Sequence, residues 1–494
     1  MGKNIRYVSL SNFPHINSLE NQYSQEYIST NEVLLLEETS VSITIALTEN
    51  TDNQIKEFLI KFHHPKKIYF VYIQKTELIS YLAGNTNSSL IDDANANIQS
   101  SDFTLDSIQP DAPIVNIINA IIIEAIRYQA SDIHIETNDF EIYIKYRIDG
   151  LLQTVKKLPI DLFNTLSSRI KIMAKLNIME QRLPQDGRIS VTIENSPIDI
   201  RVSIIPVING ESITLRLFNY ENKILSLNEL GFNNECVKTL TKSVLYPHGL
   251  VLVTGPTGSG KTTTLHSLLN LLPKESLKLI TLEDPVEQII QDIPQIQINE
   301  TIGLTFETML RRVLRHDPNV IMVGEIRDSA TAELAIRAAL TGHLILTTLH
   351  TNDSISAITR LYDMGIEPYL LCSVLRCVEA QRLVRKLCTK CSLDINPSIE
   401  EKKIFNKYSI KINKLKKAVG CKDCYNTGYK GRIAISEIFE FSSNLEELII
   451  NKKRNSELLE SLRKEGMKNL VHDGLEKVAN GITSLEELRR EVIF

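Results

Sequence analysis

The chain has 494 residues, more than one hydrophobic core normally supports, so we expect two to four domains. It is 43% hydrophobic and 23% charged, with a formal net charge of -5 and a pI near 6.1, which is ordinary for a globular protein. The sequence has no signal-peptide pattern at its start and no uninterrupted apolar stretch of about 18 residues, and its mildly acidic balance gives no indication of nucleic-acid binding. These features predict a cytoplasmic protein.

The sequence divides into four consecutive regions. Residues 1–90 mix short apolar runs with polar turns and carry no catalytic signature, so we expect a small α/β docking domain. The Asn- and Ser-rich stretch at residues 91–112 is typical of a linker. Residues 113–228 start with an amphipathic helix at 114–130 and continue with alternating strands, which predicts a second mixed domain. From residue 229 to 494, apolar runs alternate with helical patterns, as in a parallel sheet flanked by helices.

A phosphate-binding loop follows the apolar run 249–254 and precedes a helical segment. Its glycines let backbone N–H groups turn toward phosphates, Lys261 supplies a charge for the β- and γ-phosphates of ATP, and the Thr262 hydroxyl can bind magnesium. A chance glycine-rich turn is disfavoured because strand, loop and helix occur in the required order. The predicted nucleotide-binding residues are Gly255, Pro256, Thr257, Gly258, Ser259, Gly260, Lys261 and Thr262.

Two later strands end in carboxylates. Glu283 ends the apolar run that starts at Ile280, and Glu325 follows the run 320–323. Open α/β sheets bind ligands at such strand ends, so we assign Glu283 to orienting the attacking water and Glu325 to the magnesium ion. The alternative is that either acid is simply a solvated strand end.

At this point the motifs from about residue 110 to the C-terminus resemble the secretion and traffic ATPases that power type II secretion and type IV pilus assembly. Residues 283–287 are similar to the aspartate box of that family, and residues 324–328 to its glutamate-bearing Walker B segment. Residues 341–352 are similar to its histidine box, in which His350 would lie near the γ-phosphate. A lone histidine is more often a core residue, but this context favours a functional one.

The resemblance implies a RecA-like P-loop ATPase core in a ring of six identical subunits. It also implies that arginines of the preceding domain reach across a cleft to the nucleotide, where cations stabilise the charge that develops during phosphoryl transfer. Arg201 and Arg216 are the candidates, with Arg311, Arg315 and Arg327 as weaker ones. The alternative is that these arginines lie on solvated strand faces.

Two Cys-x-x-Cys pairs interrupt the last region. Four thiolates complete a tetrahedral shell, so Cys388, Cys391, Cys421 and Cys424 predict a structural zinc site, with a redox function as the rival. The resemblance supports zinc, because type II secretion motors carry a four-cysteine insertion at this place. The lysines between the pairs are expected to form a solvated face, with contact to anionic lipid or an acidic partner as the alternative.

The leading hypothesis is therefore a Mg-dependent ATPase that drives pseudopilus assembly and protein export in a type II secretion system. The resemblance implies peripheral association with the inner membrane through partners, namely a polytopic platform protein and a protein whose actin-like cytoplasmic domain binds the N-terminal domain. The nearest alternative is a type IV pilus extension ATPase. Alternatives of other classes are a nucleic-acid-translocating ATPase, which the lack of tryptophan disfavours, and a scaffold with an inactive P-loop.

Overall fold

The computed structural model describes parts of residues 7–78, the pair 103–104, and residues 113–193, 196–219 and 224–494. These residues form two compact units, one within residues 1–101 and the other within residues 102–494. Apart from residues 103 and 104, the predicted linker at 91–112 lies outside the described residues. No helix in the described ranges combines the length and apolar character needed to cross a membrane.

The first unit is a small α/β fold. Strand β2 pairs antiparallel with β1 and parallel with β3, and a helix connects the two parallel strands. Leu34, Ile45 and Leu59 are buried in its core. The described elements are β1 Val33–Glu38, β2 Ser42–Leu47, α1 Asn53–Phe62 and β3 Lys67–Tyr72.

The second unit begins with a seven-stranded mixed sheet in the order β4-β8-β9-β10-β5-β6-β7. Alternation along β6 buries Ile142, Ile144 and Tyr146 against helix α2, where the Tyr146 hydroxyl donates to the Ile121 carbonyl over 2.8 Å. The elements are β4 Phe103–Thr104, α2 Pro113–Arg127, β5 Asp132–Thr137, β6 Glu141–Ile148, β7 Leu151–Pro159, α3 Phe163–Met173, β8 Gln185–Ile193, β9 Ser196–Val207 and β10 Gly210–Asn219.

A second seven-stranded sheet, in the order β13-β12-β14-β15-β11-β16-β19, forms the rest of the unit. Strands β11 to β16 within it run parallel, and β19 pairs antiparallel at the edge. The strands are β11 Gly249–Thr254, β12 Leu279–Glu283, β13 Gln295–Gln297, β14 Val320–Val323, β15 Leu344–Leu349, β16 Leu375–Leu387 and β19 Tyr429–Glu440, with the separate hairpin β17 Leu393–Ile395 and β18 Leu415–Lys417.

Helices cover both faces of this sheet. Because the central strands β11, β12, β14 and β15 are buried on two sides, their residues are mostly apolar, as expected for a parallel sheet. Leu252 and Ile345 belong to the core on one face, and Val253 and Leu346 to the core on the other. The helices are α4 Leu227–Leu230, α5 Asn234–Val244, α6 Lys261–Asn270, α7 Phe306–Val313, α8 Ser329–Leu340, α9 Ser354–Asp363, α10 Pro368–Val374, α11 Ile399–Lys407, α12 Ser443–Ile450, α13 Asn455–Lys464, α14 Leu470–Ala479 and α15 Leu485–Glu491.

A carboxyl side chain is buried inside this sheet without a hydrogen bond to compensate it. Glu379, in the middle of β16, is fully buried, and neither of its carboxyl oxygens has a hydrogen-bond partner. Burial, with help from two nearby acids, raises its pKa well above the usual carboxyl value. The titratable groups that face it are Glu437, Asp473, Lys477, Cys236 and Cys377.

This burial predicts a pH-dependent stability. The unfolded chain releases the Glu379 proton as the pH rises above the ordinary carboxyl pKa, while the folded chain keeps it, so the wild type loses stability with rising pH until its raised pKa is passed. We expect Glu379→Gln to remove this loss, so that the free energy of unfolding of the variant exceeds that of the wild type by more at pH 8 than at pH 5. Chemical unfolding from pH 5 to pH 8 measures the difference between the two proteins. Glu333→Gln, on an exposed helix face, is the control, and a constant wild-type-to-variant difference across the pH range would contradict the prediction.

Candidate nucleotide site

A cleft of about 920 Å³ opens between the two sheets of the second unit. On one side it is lined by the loop 256–263 and by the ends of strands β12 and β14. On the other side it is lined by Asp132, Arg147 and Arg216 from the preceding mixed sheet. The cleft therefore joins the predicted phosphate-binding residues to arginines of the domain predicted at residues 113–228, which we call the arginine-bearing domain.

Strand direction explains why distant motifs meet in this cleft. Strands β11, β12, β14 and β15 are parallel and adjacent in the sheet, so their carboxyl ends lie along one edge. The phosphate-binding loop follows β11, Glu283 ends β12, and Glu325 and His350 follow β14 and β15. The structure brings all three of these predicted side chains together with Lys261 in the lining of one cleft.

The phosphate-binding loop wraps tightly around the start of helix α6. Gly260 caps this helix in the left-handed conformation, with φ of +88°, which favours glycine. The Lys261 ammonium is largely buried and donates to the carbonyls of Gly255 and Pro256 over 2.8 and 3.0 Å. Burial lowers the pKa of Lys261, and the nearby Glu325 carboxylate opposes that shift. The loop thus holds the Lys261 ammonium at the N-terminal end of α6, the kind of place where helices bind phosphates.

Gln381 braces this loop and was missed by the sequence analysis. Its buried side chain donates from Nε2 to the Ser259 carbonyl over 2.6 Å and accepts through Oε1 from the Thr264 hydroxyl over 2.8 Å. A Cβ atom on Gly255 would lie 2.5 Å from the Gln381 carbonyl oxygen, so this position requires glycine. Its neighbours in β16 include several charged residues, so no local signal in the sequence marks this role.

Glu283 is buried and fully hydrogen-bonded. One oxygen lies 3.0 Å from His266 Nε2, and the other accepts from the Thr281 hydroxyl over 2.6 Å and from Gln295 Nε2 over 2.9 Å. Burial raises the pKa of Glu283, but the hydrogen bonds and the His266 charge outweigh burial, so the net pKa is lowered. The carboxylate is therefore held ionised in one orientation at the end of β12.

Glu325 lies in a different environment. It is partly exposed, one oxygen pairs with the Arg327 guanidinium, and the other lies 2.9 Å from His350 Nε2. Because an ionised carboxylate only accepts, His350 donates here through Nε2. Burial raises the pKa of Glu325, but Arg327 and His350 lower it below the ordinary value. Arg327 also contacts Asp284 over 3.1 Å, so it connects the second acid of the aspartate box to Glu325.

The lining also suits a magnesium ion. Thr262 and Glu325 offer a hydroxyl and a carboxylate oxygen in the same cleft, and these hard oxygen donors are ones that magnesium accepts together with nucleotide phosphates. The donor chemistry therefore fits the predicted cation.

The predicted arginines fall into different positions. Arg216 lines the cleft, where its Nε donates to Asp132 over 2.9 Å. Arg147, which was not among the candidates, lines the cleft as well and lies 3.6 Å from the other Asp132 oxygen. Burial raises the pKa of Asp132, but hydrogen bonds from Arg216 and Ser131 lower it overall, so the acid stays ionised and orients both arginines.

The remaining arginine candidates lie outside the lining of this cleft. Arg201 packs its guanidinium over the Phe218 ring at 5.0 Å, opposite Arg216 in the β9–β10 pair. Arg311 pairs with Glu307 on the exposed side of α7, and Arg315 is exposed just beyond that helix. In contrast, Arg382 of β16 lines the cleft and donates to the Asn352 carbonyl over 3.0 Å. A single chain therefore places Arg216, but not Arg201, Arg311 or Arg315, in the cleft lining.

The four predicted metal ligands also meet. The sulfur atoms of Cys388, Cys391, Cys421 and Cys424 all lie within 4.8 Å of one another, and three of their separations are 3.9, 3.7 and 3.7 Å. A tetrahedron with zinc–sulfur bonds of about 2.3 Å has sulfur–sulfur edges of about 3.8 Å. Backbone amides of Cys421 and Gly428 donate to the Cys424 sulfur over 3.1 and 3.2 Å, which is typical of a thiolate site. The geometry fits a closed four-thiolate metal site.

Comparison with known proteins identifies the family. The profile of the family described as type II/IV secretion system protein matches residues 107–490. The chain belongs to this family. Among solved structures, the pilus retraction motor PilT with bound ADP superimposes with a TM-score of 0.52 at 26% identity, covering 76% of this chain and 96% of PilT. The predicted fold class, a RecA-like P-loop core preceded by mixed α/β domains, is confirmed.

Relatives within the family carry two kinds of name. The type II secretion system protein E of Pseudomonas aeruginosa is 46% identical over 382 residues, which are 77% of this chain and 76% of that protein. The type II secretion system ATPase E of Vibrio cholerae is 44% identical, with the same two coverages. The type IV pilus assembly ATPase TfpB of Acinetobacter baylyi is 36% identical over 97% of this chain and 84% of its own length.

Proposed function

We propose that this chain is the cytoplasmic ATPase motor of a type II secretion system, which hydrolyses ATP to assemble a pseudopilus and export proteins. The observation that carries the proposal is the single cleft in which a phosphate-binding loop, two differently held acids and a histidine face Arg147 and Arg216. Relatives 44 to 46% identical that are named for type II secretion support the choice of machine.

In the proposed mechanism, the loop amides and Lys261 bind the β- and γ-phosphates, and Thr262 and Glu325 hold magnesium, which neutralises phosphate charge when bound. Glu283, fixed by His266, Thr281 and Gln295, orients the attacking water. His350 acts as the sensor of the γ-phosphate and is coupled to Glu325 through Nε2, and the guanidinium of Arg216 stabilises the charge that develops in the transition state. Arg201 has its side chain turned to Phe218 and would act only after a rearrangement or in a neighbouring subunit.

The proposal extends to assembly and location. A ring of six identical subunits would complete each cleft, and the unit within residues 1–101 would dock on the actin-like cytoplasmic domain of an inner-membrane protein. A polytopic platform protein would receive the mechanical work. The support for docking is that the sequence of this first unit carries no phosphate-binding loop and no Cys-x-x-Cys pair.

Type IV pilus extension is a second candidate with its own observation. The match to the pilus assembly ATPase TfpB spans 97% of this chain, whereas the match to the Pseudomonas type II secretion protein spans 77%. The extra coverage includes the first unit, which would contact the membrane partner. The match over the first unit therefore favours the pilus hypothesis, whereas the ATPase core matches relatives of both kinds.

Complementation of cells that lack this gene separates these candidates. We expect the full chain to restore protein export. The Lys261→Ala variant should not restore it, because the ammonium group that binds the phosphates is lost. A chain of residues 102–494 alone should be absent from the membrane fraction. Exported protein in the medium, surface pili and fractionated membranes are measured in each strain. Rescue of pili with unchanged export would replace the secretion hypothesis with the pilus one, and a truncated chain that still sediments with membranes would contradict N-terminal docking.

The two acids should differ when each is replaced by its amide. We expect Glu283→Gln to bind ATP and magnesium within about threefold of the wild type but to lose at least about a hundredfold in kcat, because only water activation is removed. Glu325→Gln should also require several-fold more magnesium for half-maximal activity. Steady-state ATPase assays across magnesium concentrations measure both effects. Glu300→Gln is the control because Glu300 shares Arg327 with Glu325 but lies outside the cleft lining, and identical behaviour of the two cleft variants would refute the division of roles.

The cysteine cluster should carry one structural zinc ion per chain. We expect Cys388→Ser to lose the metal and to lower the melting temperature of the protein, since metal binding contributes folding energy to the segment between the pairs. Elemental analysis and calorimetry measure the two effects. Cys372→Ser is the matched control, because Cys372 is a buried cysteine outside the cluster. Wild-type protein purified without zinc, or a Cys388→Ser protein that retains it, would disprove the site.

A further inference from the structure

The loop that leaves the last cysteine contacts the arginine-bearing domain at two points. The ring of Tyr425, directly after Cys424, lies 3.9 Å from the ring of Tyr128 at the end of helix α2, centroid to centroid. Six residues later, the Gly431 N–H donates to Asp149 Oδ2 over 2.8 Å. A cavity of about 310 Å³ separates the two contacts. The cysteine module thus contacts the neighbouring domain through Tyr425, and strand β19, which follows the module, contacts it through Gly431.

The cysteine cluster determines the shape of this loop. Tyr425 and Asn426 both adopt left-handed backbone conformations, with φ of 51° and 61°, a region that is unfavourable for a tyrosine. The Asn426 N–H donates to the Cys421 carbonyl over 2.8 Å, and the Gly428 N–H donates to the Cys424 sulfur over 3.2 Å. Hydrogen bonds to the cluster therefore hold the loop in this strained shape, and loss of the metal would release it.

The other partner of the loop is a turn in the cleft wall. Asp149 and Gly150 form the two-residue turn between β6 and β7, both with positive φ, and both line the nucleotide cleft. Arg147 donates from Nη1 to the Gly150 carbonyl over 3.1 Å, and the same guanidinium lies beside Asp132, which also holds Arg216. A continuous set of contacts thus connects the cluster, through Gly431 and the turn, to both arginines of the cleft.

We propose that the four-cysteine module clamps the arginine-bearing domain onto the ATPase core, with Asp149 as the positioning residue that transmits metal occupancy to Arg147 and Arg216. This inference rests on the proposed ATPase function for its kinetic consequence, but the clamp itself is a statement about domain geometry. Asp149 acts through the arginines and does not need to touch the nucleotide. The metal module therefore contributes to hydrolysis without supplying a residue to the chemistry.

The experiment measures the domain geometry and the kinetics separately. Fluorophores are introduced through non-canonical amino acids at Lys156 on the arginine-bearing domain and Lys238 on the core, two exposed positions away from the cleft. We expect one narrow distance distribution for the zinc-loaded full chain and a broad one after treatment with a zinc-selective chelator. Asp149→Ala and Tyr425→Ala should broaden it as well while keeping one zinc per chain.

The kinetic arm uses the same variants with magnesium in excess. We expect Asp149→Ala and Tyr425→Ala to lower kcat about tenfold with less than about a threefold change in the KM for ATP, since the loop still binds phosphates while the arginines are misplaced. Tyr425→Phe keeps the ring and should restore wild-type values. Asp139→Ala, in the turn at the opposite end of β6, is the control for loss of a turn carboxylate.

The possible outcomes separate the clamp from the proposed function. A narrow distance distribution in Asp149→Ala and Tyr425→Ala, or in the chelated wild type, would overturn the clamp even if ATP is hydrolysed. A broadened distribution with unchanged kcat would overturn the assignment of Asp149 as a positioning residue. If the wild type hydrolyses no ATP, the proposed function fails, while the distance measurements still decide whether the module clamps the domain.

Discussion

The parallel alignment of four strands determines the site. A parallel sheet places the carboxyl ends of its strands along one edge, so the residue that follows each strand faces the same space whatever its distance in the sequence. Here β11 supplies the phosphate-binding loop, and β12, β14 and β15 supply Glu283, Glu325 and His350. A change of one residue in the register of β12 would therefore turn Glu283 away from the cleft.

The side chains around Glu283 and Glu325 give these two acids different properties, although both lie at the same edge of the parallel sheet. Glu283 has three donors and little exposure, so its position and ionisation are fixed by the fold. Glu325 shares its oxygens with Arg327 and His350, both partly exposed, so a cation or phosphate that attracts either partner can change its environment. Because their neighbours differ, Glu283 is held rigidly, whereas the environment of Glu325 can change when a ligand binds.

The local parts of this site could be predicted from sequence, and the long-range parts could not. The loop 255–262 and the acids at strand ends are contiguous patterns in which spacing alone determines geometry, and the two cysteine pairs are of the same kind. Gln381 and Asp132 act instead on residues about a hundred positions away, at Ser259 and Arg216, and nothing in their own neighbourhood indicates the partner. Arg201 and Arg216 look alike in sequence and are direct partners across β9 and β10, and only their side-chain positions in the folded chain show that Arg216 reaches the cleft while Arg201 packs on Phe218.

The cleft has walls from two domains, and this division has a mechanical consequence. The loop that binds phosphates belongs to the rigid parallel sheet, whereas Arg147 and Arg216 belong to a sheet whose described contacts with the cysteine module pass through the turn at Asp149 and the ring of Tyr128. Contacts this few hold one domain geometry in the resting chain, but the binding of a nucleotide can release them more readily than it could release a packed core. A nucleotide that attracts the arginines would therefore pull a whole domain with them, and this movement is the kind that a motor needs to turn phosphate chemistry into displacement.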